Sequence, residues 1–279
     1  MPARNVYGLC RDLAPRYAVV YIRIGINHSW KAKNMFSYYG SKSKIVHLYP
    51  SPKHGKVIEP FAGSARYALK WFDRDVLLVD KYDVVVKVWH YLQQASVKDI
   101  MSLPTLKLGD DIRTLKVSDE EKMFLGMLAG VASTSPRWKV SAYSAEQHGR
   151  KNQLKRIADQ LYKIRHWVIR QGSYEDIENV EATWFIDPPY QVGGNGYKHK
   201  KIDYPALALW SKERNGQVIV CENTKADWMK FYPMKGLHGA MSETVEAFWS
   251  NYPHDYRSEQ LSFPTLPNTA CTGRRESRR

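Results

Sequence analysis

Two short apolar runs in the first half of the chain are each followed by a segment whose apolar residues recur at helical spacing. The runs lie at residues 56–60 and 76–79, and the helical segments at residues 66–72 and 84–94. A short apolar run is typical of a buried strand, whereas a spacing of three to four residues is typical of a helix packed on one face. The order strand, helix, strand, helix predicts a parallel sheet with helices on its faces.

The last third of the chain repeats this pattern. A buried strand is predicted at residues 182–186, a helix at 204–214, and further strands at 217–221 and 245–249. We therefore predict an α/β fold with a Rossmann-like, mostly parallel sheet.

The segment at residues 97–170 is mainly helical and strongly basic. An amphipathic helix is predicted at residues 119–131, and a basic helix followed by a strand within residues 149–171. From residue 136 to residue 170 there are nine Lys or Arg residues and only two acids, with aromatic residues interleaved. A basic run alone is typical of a solvated helix face, but the interleaved aromatics equally favour contact with nucleic acid. The candidate nucleic-acid residues are Arg137, Trp138, Lys139, Arg150, Lys151, Lys155 and Arg156.

The two ends of the chain do not share the strand–helix pattern. Residues 1–34 hold one strand-like run, at residues 17–24, and clear patterning begins at Met35. Either this run is an additional strand or residues 1–34 are an extension upstream of the natural start, and the pattern slightly favours the extension. Residues 262–279 are arginine-rich and are predicted to be disordered.

Composition and charge suggest a partner. The chain has 42 Lys and Arg residues against 28 Asp and Glu, a formal net charge of +14, and 13% aromatic residues. Such a positive charge favours a polyanionic partner, and flat side chains suit base stacking. The apolar content of 43% is that of a globular protein and excludes a wholly disordered chain.

The cysteines and the hydropathy exclude other classes of protein. Cys10, Cys221 and Cys271 are far apart and form no CxxC pair, so neither a disulfide framework nor a zinc site is expected. This cysteine usage fits a reducing cytoplasm. Because no run of 18 apolar residues occurs, no membrane span is expected either.

The Asp-Pro-Pro-Tyr tetrapeptide at residues 187–190 is the strongest chemical signal. It follows a predicted strand, so Asp187 is expected at the carboxyl edge of the sheet, where α/β folds bind ligands. The prolines fix the backbone, which makes the Pro188 carbonyl a rigid acceptor, and Tyr190 offers a flat face. An exocyclic amine on a base is a poor nucleophile because its lone pair is delocalised, and two acceptors could hold its hydrogens and aim that lone pair at an electrophile. The alternative is a strand-ending turn with an incidental acid.

Further motifs lie at other predicted strand ends. Residues 59–63, Glu-Pro-Phe-Ala-Gly, form a turn of small residues that lets the backbone approach a ligand. Asp80 ends the next strand, where an acid either binds ribose hydroxyls or caps a helix. Upstream, Tyr38, Gly40 and Lys42 either clamp a cofactor or form a surface turn.

In their order along the chain, these motifs resemble the Dam-like DNA adenine-N6 methyltransferases, which use S-adenosylmethionine. The resemblance covers about residues 36–255. It implies a methyltransferase domain made of residues 35–96 and 171–261, with residues 97–170 as an inserted, mainly helical target-recognition region. The cofactor residues that it implies are Tyr38, Gly40, Lys42, Glu59, Pro60, Phe61, Gly63, Asp80 and Asp187, and the catalytic residues are Asp187, Pro188, Pro189 and Tyr190.

The chain also departs from the family pattern. Ser41 stands in place of a second glycine, and residues 81–82 are Lys-Tyr where Ile-Asn is common. An Asp-Phe pair that often precedes the catalytic strand is replaced by Ser-Tyr at residues 173–174, followed by Glu175 and Asp176. The acid that meets the cofactor adenine is therefore not predicted. The Asn-rich recognition stretch that is usual in the family is poorly matched, so the target sequence is not predicted either.

The implied function is methyl transfer to N6 of an adenine flipped out of duplex DNA, since the amine is otherwise buried in the base stack. No metal is required, because the sulfonium of the cofactor carries the activated methyl group. The alternatives are transfer to cytosine N4 or to adenine in RNA, and a catalytically silent methyltransferase-like module that binds DNA. The expected setting is the cytoplasm of a bacterial or phage-infected cell, with duplex DNA as the partner and a monomer as the default.

Overall fold

The structure, a computed structural model, describes residues 34–130, 133–145, 150–234 and 245–253. Of residues 143, 150 and 151 it describes the backbone alone. The predicted N-terminal extension, apart from Asn34, and the predicted tail at 262–279 lie outside the described residues.

Within these residues the chain forms an α/β fold around a mixed, mostly parallel seven-stranded sheet. The strands are β1 (Lys56–Glu59), β2 (Asp75–Asp80), β3 (Val168–Gln171), β4 (Ala182–Ile186), β5 (Gly216–Asn223), β6 (Tyr232–Pro233) and β7 (Glu246–Ser250). Their order in the sheet is β3-β2-β1-β4-β5-β7-β6, with β7 antiparallel to both of its neighbours. Strands β2 and β3 follow β1 toward one edge of the sheet, and the strands after β4 lie toward the other edge. A crevice is therefore expected where β1 and β4 end side by side.

Helices cover both faces of the sheet. They are α1 (Arg66–Lys70), α2 (Asp83–Gln94), α3 (Val97–Met101), α4 (Asp119–Ala129), α5 (Ala142–Ala145), α6 (Arg150–Ala158) and α7 (Tyr204–Lys212). Successive residues of a strand point to opposite faces, and β1 shows this directly. Val57 belongs to a core that includes Trp89 of α2, whereas Ile58 belongs to a second core that includes Leu207 of α7.

The strands and helices predicted from the apolar pattern are confirmed, with ends that shift by a few residues. The helix predicted at 119–131 ends at Ala129, and Gly130 is its C-cap. Its start is fixed by a capping box, in which Ser118 and Glu121 satisfy each other's backbone N–H groups. The pattern missed β6, whose two residues pair with β7 and are too few to show a period.

The predicted boundary between residues 170 and 171 lies within β3, which pairs in parallel with β2 and is part of the sheet. Apolar side chains of α4 and α6, among them Phe124 and Ile157, also belong to the core that contains Trp89. Residues 97–170 thus share the core of one sheet face, because the edge of that face would otherwise stay exposed.

Candidate functional site

A cavity of about 450 Å³ opens at the carboxyl edge of the sheet, where β1, β2, β3 and β4 end. Four separate segments of the chain bring most of the predicted cofactor and catalytic residues to it. The predicted residues that line the cavity are Tyr38, Gly40, Lys42, Glu59, Pro60, Phe61, Gly63, Asp80, Asp187 and Pro189. The other two predicted catalytic residues, Pro188 and Tyr190, are not among its lining.

The turn after β1 is held by bonds to Gly63. Its N–H donates to Asp80 Oδ2 over 2.9 Å, and its carbonyl accepts from Trp89 Nε1 over 2.9 Å. Gly63 has a φ of +44°, and a Cβ there would lie 3.1 Å from the ring of Tyr38. Glycine therefore meets two needs at this position, a left-handed backbone and the close approach of an aromatic ring.

The Asp80 carboxylate links the turn after β1 to the residues after β2 by hydrogen bonds on the cavity wall. It accepts from Gly63 N–H and, over 2.8 Å, from Tyr82 N–H. Burial raises the pKa of Asp80 to about 6, against the lowering effect of these two hydrogen bonds. Each carboxylate oxygen has two lone pairs, so Asp80 keeps acceptor capacity for a hydroxyl group inside the cavity.

Glu59 is a buried acid at the end of β1. Its Oε1 accepts from the N–H of Ala68 over 2.6 Å, which ties β1 to α1. Burial raises the pKa of Glu59 to about 8; the Ala68 hydrogen bond lowers it, and the Asp187 carboxylate raises it further. Near neutral pH the Glu59 side chain is therefore largely protonated.

Lys42 and Asp187 form a buried ion pair between the first motif and the tetrapeptide. Lys42 Nζ lies 2.8 Å from Asp187 Oδ1, and the Lys42 side chain is only 6% exposed. Burial opposes the charge of Lys42, but the carboxylates of Asp187 and Glu246 outweigh it and raise the pKa of the ammonium group. Burial also disfavours the charged form of Asp187, which raises the pKa of its carboxyl group, and Lys42 is the main group that opposes this rise.

Glu246, at the start of β7, is a member of this network that the sequence pattern missed. It accepts hydrogen bonds from the hydroxyls of Tyr190 and Tyr49, the latter over 2.6 Å, and lies 3.6 Å from Lys42 Nζ. The Lys42 ammonium also lies 4.6 Å from the centroid of the Tyr190 ring. The available signal was an acid at the start of an otherwise apolar strand, but nothing in the sequence shows that β7 runs antiparallel and brings this acid to the edge.

The residues after β3 form another wall of the cavity. The rings of Phe61 and Tyr174 lie 5.5 Å apart, and Ser173 and Glu175 line the cavity beside them. Ser173 Oγ donates to Glu175 Oε2 over 2.8 Å. Asp176 instead accepts from Ser173 N–H and lies outside the lining, so Glu175 is the acid of this pair that faces a ligand.

The predicted nucleic-acid residues lie in two places. Arg137 and Lys139 are exposed in the loop after α4, while Trp138 between them packs partly against the core. In α6, Lys155 Nζ lies 2.8 Å from Asp159 Oδ2, and Arg156 Nη1 donates to the Asn34 carbonyl over 2.9 Å. The backbone of residues 150 and 151 begins this helix.

Two of the nine basic residues counted in this region have structural contacts instead. Lys163 is buried, with Nζ 3.3 Å from Gln160 Oε1 and 4.9 Å from the centroid of the Phe72 ring. Arg165 donates to the carbonyls of Gln93 and Ala95 at the end of α2. The count of basic residues therefore overstates the charge that is available to phosphates.

The sequence comparisons identify no relative of this chain. The sequence matches none of the protein-family models scanned, and no curated protein gives a significant match. Among the described residues, no helix is long and apolar enough to cross a bilayer, and no cluster of three potential ligands is placed to hold a metal ion. The function is therefore argued from the cavity and its chemistry.

Proposed function

We propose that this protein is a DNA methyltransferase that transfers a methyl group from S-adenosylmethionine to N6 of an adenine flipped out of duplex DNA. One observation carries the proposal. The four motifs that resemble those of the Dam-like enzymes are spread over about 150 residues of sequence, yet all of them contribute to one cavity at the carboxyl edge of the sheet. The strand order and the antiparallel β7 are compatible with a Rossmann-like methyltransferase domain.

The cavity fits the proposed cofactor in size and in chemistry. About 450 Å³ lies within the range of small-molecule sites. Asp80, at the end of β2, would accept hydrogen bonds from ribose hydroxyls, and the rings of Phe61 and Tyr174 would form an aromatic wall on one side of the adenine. Ser173 and Glu175 adjoin Tyr174 in sequence and line the cavity, so they would read the edge of the adenine. When bound, the cofactor supplies an activated methyl group on a sulfonium.

Asp187 would position the target amine. An ionised carboxylate accepts hydrogen bonds and donates none, so the Lys42 ion pair supports its role by opposing the effect of burial on its pKa. The Pro188 carbonyl would accept the second amine hydrogen. With both hydrogens held, the nitrogen lone pair is directed away from the acceptors and toward the electrophile.

Tyr190 would stack on the flipped base. Its hydroxyl is fixed by Glu246 and one face of its ring is covered by Lys42. A base that stacks on Tyr190 must therefore use the other ring face or displace Lys42. Because Lys42 contacts both Asp187 and Tyr190, it would couple the acceptor to the stacking surface.

The proposal is tested by incubating the full chain with S-adenosylmethionine labelled in its methyl group and with unmethylated duplex DNA. The DNA is then digested to nucleosides, which are separated. Labelled N6-methyl-2′-deoxyadenosine is the expected product, and the Asp187→Ala variant is the matched negative control.

Other products would change the assignment. Label on N4-methylcytosine, or label that enters RNA and not DNA, would keep the chemistry and change the acceptor. Cofactor binding by calorimetry with no labelled nucleoside in either nucleic acid would favour a silent module that binds DNA.

A further inference from the structure

The loop between β4 and α7 carries a basic run that the proposed chemistry does not use. It contains Lys198, His199, Lys200 and Lys201 within the residues that follow the tetrapeptide. From residue 191 to residue 202 there is no acidic residue. Residues 191–202 therefore carry a local excess of positive charge, and the acids of this loop, Asp187 and Asp203, lie at its two ends.

The loop is held against the cavity by contacts on its glycine-rich half. Gly194 N–H donates to the Tyr190 carbonyl over 3.1 Å, and a Cβ on Gly194 would lie 3.1 Å from the Pro189 backbone. Thr134 Oγ1 donates to the Gly196 carbonyl over 2.6 Å. The loop is thus fixed both to the tetrapeptide and to the segment that precedes Arg137.

Tyr197 attaches the basic run to the opposite rim. Its hydroxyl donates to the Tyr39 carbonyl over 3.1 Å, and its ring centroid lies 5.5 Å from that of Tyr39 and 6.1 Å from that of Tyr38. Gly40 has a φ of +72°, and its missing side chain leaves room for the Tyr197 hydroxyl. Lys198 follows directly, so its position at the mouth is set by this aromatic cluster.

The three lysines are exposed at the mouth of the cavity, and they form no salt bridge within the described part of the chain. Lys200 Nζ lies 3.4 Å from the Asn195 carbonyl. The carboxylates of Asp80 and Asp187 line the same cavity. A phosphate is repelled by these carboxylates and attracted by the lysines, so the charge pattern admits a neutral base and holds its phosphates outside.

We propose that Lys198, Lys200 and Lys201 bind the backbone phosphates of the target strand beside the flipped nucleotide. Lysine binds phosphate as a flexible point charge with three donors, which suits contacts that carry no sequence information. This inference rests on the proposed function, since that function supplies the DNA strand. It differs from the sequence prediction, which assigned DNA contact to residues 137–139 and 150–156.

The test compares two triple variants of the full chain that remove the same charge. One is Lys198→Ala/Lys200→Ala/Lys201→Ala; the control is Lys53→Ala/Lys212→Ala/Lys230→Ala, which removes exposed lysines that lie outside residues 97–170 and do not line the cavity. Binding of a mixed-sequence unmethylated duplex is measured between 50 and 200 mM salt. The slope of log affinity against log salt should fall in magnitude by roughly 2.7 in the loop variant, at about 0.9 per phosphate contact. It should fall clearly less in the control, and Lys→Arg at the three loop positions should restore it.

Cofactor affinity and methyl transfer separate the outcomes. S-adenosylmethionine affinity, measured by calorimetry, should be the same in the loop variant and in the wild type. A loss confined to cofactor affinity would assign the lysines to the cofactor carboxylate and overturn the inference. An unchanged salt slope in the loop variant, with a wild type that methylates DNA, would overturn the inference and keep the proposed function. A wild type that transfers no methyl group but binds DNA with the loop-dependent slope would reject the proposed function and keep the phosphate site.

Discussion

The cavity and the basic segment at residues 137–165 both hold many charged side chains, but they use them in opposite ways. At the cavity, Lys42, Asp187 and Glu246 come from three distant parts of the chain and are buried against one another. In the basic segment the side chains are used singly: Lys155 pairs with Asp159 one helical turn away, whereas Arg165 donates to backbone carbonyls at the end of α2. The order of motifs along the chain therefore predicted a shared site, whereas the count of basic residues did not predict a shared surface.

The physical difference lies in how each region is assembled. Parallel strands end at one edge of the sheet, so any residue that ends such a strand is brought to that edge whatever its distance in sequence. A helical turn spreads its residues over all faces: in the 3-10 turn Leu161–Ile164, Lys163 is buried, while Arg165 directly after it binds the carbonyls at the end of α2. The following predictions test this contrast, from the largest expected effect to the smallest.

Asp187→Ala should lower the single-turnover rate of methyl transfer roughly a hundredfold or more, at saturating cofactor and DNA. The variant removes one of two amine acceptors and also leaves buried Lys42 with Glu246 as its nearest carboxylate. The exposed residue Asp73, which does not line the cavity, provides the control variant Asp73→Ala. A near-normal rate for Asp187→Ala would mean that the tetrapeptide is only a turn.

Glu59→Gln should flatten the dependence of the free energy of unfolding on pH. The pKa of Glu59 is raised from 4.5 to about 8 in the folded protein. The folded state therefore binds more protons between these values, and the stability from Glu59 is complete below pH 4.5 and lost as the pH rises through about 8. A single such group changes stability by at most about 1.4 kcal/mol per pH unit.

Gln keeps the oxygen that accepts from Ala68, so the fold should tolerate this change. Urea unfolding at pH 5, 6, 7 and 8 gives the slope, with Glu178→Gln at an exposed position as the control. Equal slopes for Glu59→Gln and the wild type would show that the buried acid does not titrate as described.

Arg137→Ala/Lys139→Ala should weaken DNA binding without loss of thermal stability, because both side chains are exposed. The salt slope should fall in magnitude by about 1.8 if each contacts one phosphate. Lys163→Ala/Arg165→Ala should show the reverse, a lower melting temperature and an unchanged slope. If the two pairs behave alike, the distinction between structural and available charge in this region is wrong.

Tyr190→Phe should lower the methyl-transfer rate by a few-fold only, since it removes one hydrogen bond to Glu246, of about 1 kcal/mol. Tyr190→Ala should have a larger effect on DNA affinity, because base stacking contributes about 1–3 kcal/mol. Tyr162→Phe, at an exposed tyrosine, is the control for the first change. A loss in Tyr190→Phe as large as in Asp187→Ala would give the hydroxyl a direct role in the chemistry.

The alternation of apolar strands and amphipathic helices determined the α/β fold and placed three of the four motifs at strand ends. It did so because burial on both faces of a parallel sheet requires apolar residues at particular spacings. The turn at Gly63 was also determined by the sequence, since the left-handed backbone of Gly63 and the nearby ring of Tyr38 both exclude a side chain there.

Only the tertiary structure decided which charges meet. The pairing of Lys42 with Asp187 joins the segment before β1 to the end of β4. The hydrogen bonds from the Tyr49 and Tyr190 hydroxyls to Glu246 depend on an antiparallel β7 that reaches the edge from the opposite direction. The choice of Glu175 over Asp176 depends on a single turn after β3. Apolar spacing repeats along the chain and is therefore visible in sequence, whereas the partner of a charge is set by distances between segments that no local pattern records.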